Sequence, residues 1–194
     1  LKVKNKSPIN INMQRKVILL SGYIGSGKDC VADFLVFNKD YKKFSIADSL
    51  KIATAVKYNF KLSHCYTQEG KKLPYKLDDD TIVTIRDLLV IEGARARVIN
   101  ENVWINDCIK RIYKETEKND KIVISDFRFP NEYNVFKNSF GPDNTKCARI
   151  IRDSVIPYNL ESEHLLDNFI FDKQIHNNNS KEELYYNLRY GDFF

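Results

Sequence analysis

The chain has 194 residues, a formal net charge of +5, 43% hydrophobic residues and 29% charged ones. That length holds one domain, or one with a small inserted lobe, and buries enough surface to fold without staples. The composition excludes a disordered chain, and the mild basic excess suits small anionic ligands but falls short of a nucleic-acid surface.

Residues 1–15 are polar and unpatterned and read as a loose lead-in. The aliphatic run Lys16–Ser21 reads as a buried strand. A glycine-rich turn and an amphipathic helix over about 29–38 follow. Residues 43–46 predict a second short strand, and 47–60 a helix. The polar segment 61–80, with Gly70 and Pro74, reads as a loop or an insert. Thr84 caps a helix reaching about residue 99, and 103–117 predicts another. Residues 121–125 and 147–151 read as buried strands, and 169–171 as a weaker one. Ser180 with Glu183 has capping-box spacing for a last helix to about Tyr190. Short apolar strands alternating with helices predict an α/β fold: a parallel sheet of about five strands with helices on both faces.

The four cysteines, Cys30, Cys65, Cys108 and Cys147, include no C-x-x-C pair. Neither a zinc site nor a disulfide framework is expected, and a reduced, cytoplasmic setting is. No apolar run is longer than the four residues of 17–20, far too short to span a membrane.

Gly22-Tyr23-Ile24-Gly25-Ser26-Gly27-Lys28 fits G-x-x-x-x-G-K, the phosphate-binding loop, between a predicted strand and a predicted helix. Glycines let backbone N–H groups turn inward around phosphates, the helix N-terminus adds positive potential, and Lys28 reaches the terminal phosphates. The plainer reading is a tight turn with a surface lysine; the strand-and-helix context and the scarcity of glycine, seven in the chain, argue against it. Asp29 replaces the usual Ser or Thr, and either holds magnesium or caps the helix.

A second motif, S-D-F-R-F-P-N-E at 125–132, starts at a strand's carboxyl end, where ligands of open parallel sheets sit. Asp126 there orients a magnesium-bound water or a substrate hydroxyl, and Arg128 offers a planar fork to phosphate. Arg86, Arg95 and Arg97 fall within twelve residues, suited to gripping an acceptor phosphate, with Trp104 after them. A solvated helix face is the plainer reading of these arginines, and the preferred one for Arg97; for Trp104 the preferred reading is a core anchor. The segment 152–163, led by Arg152, reads as a lid over the nucleotide or as a connecting loop.

These residues together resemble the phage and viral deoxynucleoside monophosphate kinase family, over about 16–188. The carriers are the strings at 22–33, 44–51, 85–95, 103–105, 125–132 and 161–163, and the stretch before the final helix. G-S-G-K-D and D-F-R-F-P-N-E are the specific ones. The resemblance implies a single three-layer P-loop domain over 16–194, with a monophosphate-binding region at about 45–105. It implies transfer of a phosphoryl group from ATP to a deoxynucleoside 5′-monophosphate, with Mg2+, and it allows a homodimer.

Carried over by position, Gly22, Gly25, Ser26, Gly27, Lys28, Asp29 and Cys30 would hold ATP phosphates. Ser45, Ala47, Asp48 and Lys51 would line the acceptor site, with Arg86, Arg95 and Trp104. Asp126 and Arg128 would sit at the centre, Arg152 in the lid, and Asn178 near the adenine. Cys30 stands where the family usually has Thr, and Leu160 where it often has His. The alternatives are a phosphomevalonate kinase of the animal type, which shares the G-K-D loop, and a non-catalytic nucleotide-binding module.

Overall fold

The computed structural model describes residues 14–157 and 161–191. Leu160 and all but the last two residues of the expected lead-in lie outside them.

Aliphatic Lys16–Ser21 (β1) leads through the glycine loop into Lys28–Lys39 (α1). Tyr41–Phe44 (β2) and Asp48–Lys57 (α2) follow. The segment expected as a loop or insert folds as a 3-10 turn at Leu62–Cys65, a single helical turn at Gln68–Lys71 (α3) and the hairpin Pro74–Lys76 (β3) with Ile82–Thr84 (β4). Ile85–Ile99 (α4) starts at a capping box made by Thr84 and Asp87, and Val103–Glu115 (α5) comes next. Lys121–Ile124 (β5), Pro130–Phe140 (α6) and Thr145–Ile151 (β6) lead to the short Glu161–His164 (α7). Lys173–His176 (β7) and Lys181–Tyr190 (α8), capped by Ser180, complete the chain.

The five main strands lie in the order β2-β5-β1-β6-β7, and every pairing is parallel. This is the expected three-layer α/β sheet. Successive side chains of a strand point to opposite faces, so each strand feeds two cores. Val17, Leu19, Ile122, Ile124 and Cys147 pack with α5 and α6 on one face. Ile18, Leu20, Val123, Ala148 and Ile150 pack with α1 and α8 on the other. Strands buried on both faces read as continuous apolar runs, which is why β1 and β5 were visible in the sequence.

Three expectations need correction. The second strand is 41–44, not 43–46. It lies at the sheet edge, with Lys42 and Lys43 exposed, and Ser45, Ile46 and Ala47 are drawn out of strand geometry by bonds to Asp126. Residues 169–171 are not a strand. Phe169 and Phe171 instead join Phe127 and Tyr133 in an aromatic cluster, with ring centroids 5.0 Å apart between Phe169 and Phe171. The pairing strand is β7, where only Ile175 is buried. Helix α6 was not anticipated; its buried face is Glu132, Phe136 and Phe140.

β1 is flanked by β5 and β6, so the strand order reverses around it. The loops after β1 and β5 therefore meet at the carboxyl edge of the sheet, where open α/β sheets bind ligands. Among the described residues no helix is long and apolar enough to cross a membrane.

Candidate active site

The loop between β1 and α1 turns on Gly22, Gly25 and Gly27, with φ of 145°, 89° and 101°. Side chains rarely adopt these angles. Space forbids them too: a Cβ at Gly22 would lie 2.5 Å from the Ile150 carbonyl oxygen, and one at Gly27 would strike the Asn177 side chain. Asn177 is buried there, donating from Nδ2 to the Ser26 carbonyl at 2.8 Å. Ser26 Oγ is buried without a hydrogen-bond partner among the described residues. Lys28 opens α1, and its Nζ turns back to donate to the carbonyls of Gly22 and Tyr23 at 2.6 and 2.9 Å. Burial, aided by the nearby Arg128 guanidinium, pulls its ammonium down to about 8. A desolvated cation of this kind gains from an incoming anion.

Asp126 leaves the end of β5 and ties the two halves of the site together. Its Oδ2 accepts from Ser45 Oγ at 2.6 Å and from Ala47 N–H at 3.0 Å; its Oδ1 accepts from Ile46 N–H at 2.8 Å. Arg111, which sequence reasoning missed, grips the same turn by donating to the Ser45 carbonyl at 2.7 Å. Its position on α5 gave no signal, because only the fold brings α5 against residues 45–48.

A cavity of about 730 Å³ opens from the loop residues Ile24, Gly25 and Lys28 and runs beneath α2, α4 and the 61–80 segment. Ser45, Ala47, Asp48, Lys51, Arg86, Trp104, Asp126 and Arg128 line it, so most of the expected acceptor residues are brought together. Cys65, Tyr66, Gln68 and Lys71 also line it, which makes the 61–80 segment part of the wall. Lys71 is largely desolvated beside Lys51, Arg86 and Arg128, and both effects lower its pKa. Arg86 donates to Gln68 Oε1 at 2.7 Å. Its apolar lining includes Leu50, Leu89, Ala94, Trp104 and Phe129. Trp104 is half-buried and also packs against the α5–α6 core, so the core reading holds alongside a place at the cavity.

The two arginines of α4 exchange places relative to expectation. Arg95 is exposed and paired with Glu92 at 2.9 Å, away from the cavity. Arg97 lines the cavity, with its guanidinium 4.5 Å from the Phe129 ring centroid. The two positions are about 200° apart around a helix, so they face opposite ways. Arg97 stands one turn beyond buried Gly93, which is the sequence signal that identifies its face.

Other expected residues lie elsewhere. Cys30 packs against the α1–α8 core. Arg152 is exposed, and Asn178 exchanges bonds with Asp153, accepting from its N–H at 2.8 Å and donating to its Oδ2 at 2.6 Å. Asp29 does line the cavity but makes no capping bond; it is exposed and paired with Lys43 at 2.8 Å. Of the expected magnesium pair, Asp29 is bound to Lys43 and Asp126 to three donors of its neighbouring turn, so an ion arriving with nucleotide phosphates would compete with these partners. Among the described residues no group of three His, Cys, Asp or Glu converges on a metal position.

Glu132 was missed as a site residue. Its Oε2 accepts from the N–H groups of Arg128 and Phe129 at 2.8 and 3.1 Å, closing the start of α6. Burial nevertheless pushes its carboxyl up from 4.5 to about 8. The folded chain thus keeps a proton that the unfolded chain releases, so stability falls as pH rises from about 4.5 to about 8 and is flat above. Glu132→Gln is neutral throughout. Relative to wild type it is expected to gain more than about 1 kcal/mol between pH 6 and 9, read from denaturation midpoints.

No protein-family profile and no curated protein matches the chain. Solved structures do resemble it. One is a dephospho-CoA kinase from Campylobacter jejuni, with 15% identity, 91% of this chain and 94% of that one covered, and a TM-score of 0.47. Another is an unliganded sugar kinase from Janibacter, with 12% identity, coverage of 89% and 91%, and a TM-score of 0.42. A third is a shikimate kinase from Bacteroides thetaiotaomicron, with 12% identity, coverage of 90% and 96%, and a TM-score of 0.37.

Proposed function

We propose that the chain is a kinase that moves the γ-phosphoryl group of ATP to a deoxynucleoside 5′-monophosphate. The observation that carries this reading is the continuity of one cavity from the phosphate loop to a second group of cations. An oxygen of the acceptor phosphate attacks the γ-phosphorus, the bond from that phosphorus to the β–γ bridging oxygen breaks, and ADP leaves. This reaction asks a protein mainly for positioning and charge neutralisation.

In this reading the loop amides and Lys28 hold the donor phosphates. Lys51, Lys71 and Arg86 hold the acceptor phosphate, and Arg128 stands between the two. Trp104 and Phe129 flank the base. Arg97, its guanidinium over the Phe129 ring, presents a donor fork that suits carbonyl acceptors on a base edge. In the same reading Arg152 and Asn178 are assigned to the donor side, where the adenine would rest.

The test is ATP turnover with magnesium over a panel of deoxynucleotide and ribonucleotide monophosphates, with phosphomevalonate alongside. Turnover on one or a few deoxynucleotides is expected. Turnover on phosphomevalonate alone contradicts the acceptor assignment, and nucleotide binding with no turnover on any acceptor contradicts the kinase. Arg97→Leu is expected to raise the KM of the preferred acceptor about 5- to 150-fold, with the KM for ATP little changed. Arg95→Leu, tested beside it, leaves both near wild type.

A further inference from the structure

Glu163 joins the phosphate loop directly to Arg128. Its side chain is only 1% exposed. A carboxylate that enclosed must be well bonded to remain there. Its Oε2 accepts from the Ile24 N–H of the loop at 2.8 Å, and its Oε1 accepts from Arg128 Nη1. Ile24 comes from the loop after β1 and Arg128 from the loop after β5, so one carboxylate spans the two sides of the cleft. Lys28 lies close enough to feel both Glu163 and Arg128.

The chain just beyond Glu163 is fastened to the same loop. Asp167 Oδ1 accepts from Tyr23 Oη at 2.8 Å and from Arg149 Nη2 at 2.9 Å, and its Oδ2 meets His164 Nδ1 at 2.8 Å. The Arg149 guanidinium in turn lies 4.6 Å from the Tyr23 ring centroid. Glu163 is therefore presented from a segment bonded to the loop.

An arginine side chain loses about 2 kcal/mol of rotamer freedom when it is held still. A charge that is already aimed when substrate arrives stabilises a transition state without reorganising. We propose that Glu163 is a positioning residue for phosphoryl transfer: it holds the Arg128 guanidinium at a fixed place beside the phosphate loop. The inference rests on the kinase reading above.

Glu163→Gln keeps an oxygen for Ile24 N–H and loses the ionic bond to Arg128. The expected result is a kcat lowered about 10- to 100-fold, with the KM values for ATP and acceptor within about threefold of wild type. A purely structural role would move the KM values and the melting midpoint together. Arg128→Gln is expected to lower kcat as well, and adding Glu163→Gln to it to cost little more, because the two act as a unit. The double variant also removes both charges, so it avoids stranding one of them in a buried site and keeps the test available if Glu163→Gln folds poorly. A readout independent of turnover is the Arg128 Nε–H signal in the NMR spectrum of the nucleotide-free protein, expected to be rigid in wild type and mobile in Glu163→Gln. A wild-type kcat in Glu163→Gln, losses that multiply in the double variant, or an Arg128 signal unchanged by the substitution would each overturn the positioning role alone. A wild type that turns over no phosphate acceptor would overturn the kinase reading and this inference with it.

Discussion

Lys28→Ala is expected to lower kcat about 100- to 1,000-fold while the chain stays folded. The ammonium sits at the first residue of α1, inside a loop whose three glycines take angles that other residues avoid. Nothing else in that loop carries a positive charge to the donor phosphates. Its Nζ is satisfied by two loop carbonyls, at a cost in desolvation that depresses its pKa. Removing it therefore takes away an unfavourably buried charge along with two bonds, and the melting midpoint is expected to shift by no more than a few degrees, about the effect of 1 kcal/mol. Calorimetry beside steady-state kinetics checks both halves. A folded Lys28→Ala protein with near-normal turnover would show that the loop does not act on the transferred group.

Asp126→Ala is expected to be costly in a different way. Three donors of the turn at 45–47 end on this one carboxylate. Without it, two backbone N–H groups and a half-enclosed hydroxyl lose a charged acceptor, a loss of about 3 kcal/mol. For a chain of this size that is about 6–12 °C in melting midpoint. The same turn leads into α2, where Lys51 donates to Asp48 at 3.1 Å and to Ser45 Oγ at 3.3 Å on the cavity wall. The KM of the acceptor is therefore expected to rise more than that of ATP. Thermal denaturation and a two-substrate kinetic analysis measure these together. An unchanged midpoint would mean that the bonds to Asp126 do not stabilise the turn.

The parts of the site that were legible in the sequence are those set by local chemistry. The phosphate loop is legible because glycine is scarce and its backbone angles demand it. The Asp126–Arg128 pair is legible because it follows a doubly buried strand, whose end must lie at the ligand edge of the sheet. What was not legible depends on tertiary placement. Lys71 looks like any lysine in a polar stretch until the 3-10 turn and α3 fold it over the cavity. Glu163 lies in a short acidic run, and only the fold encloses it. Arg95 and Arg97 differ by helical phase alone, and beside them the buried face of α4 is marked by one small residue, Gly93. The strands that were misplaced, β2 and β7, are the two at the sheet edges, where at least half the residues stay exposed and apolar patterning is weakest.

The central claim is that the phosphate loop and the cation-lined cavity serve one transfer between two bound phosphates. The most direct measurement follows a radiolabelled γ-phosphoryl group from ATP in the presence of each deoxynucleoside monophosphate. Label appearing in a nucleoside diphosphate, and lost in Lys28→Ala, is the result this account predicts. Label that stays in ATP or is released only as inorganic phosphate with every acceptor would contradict it.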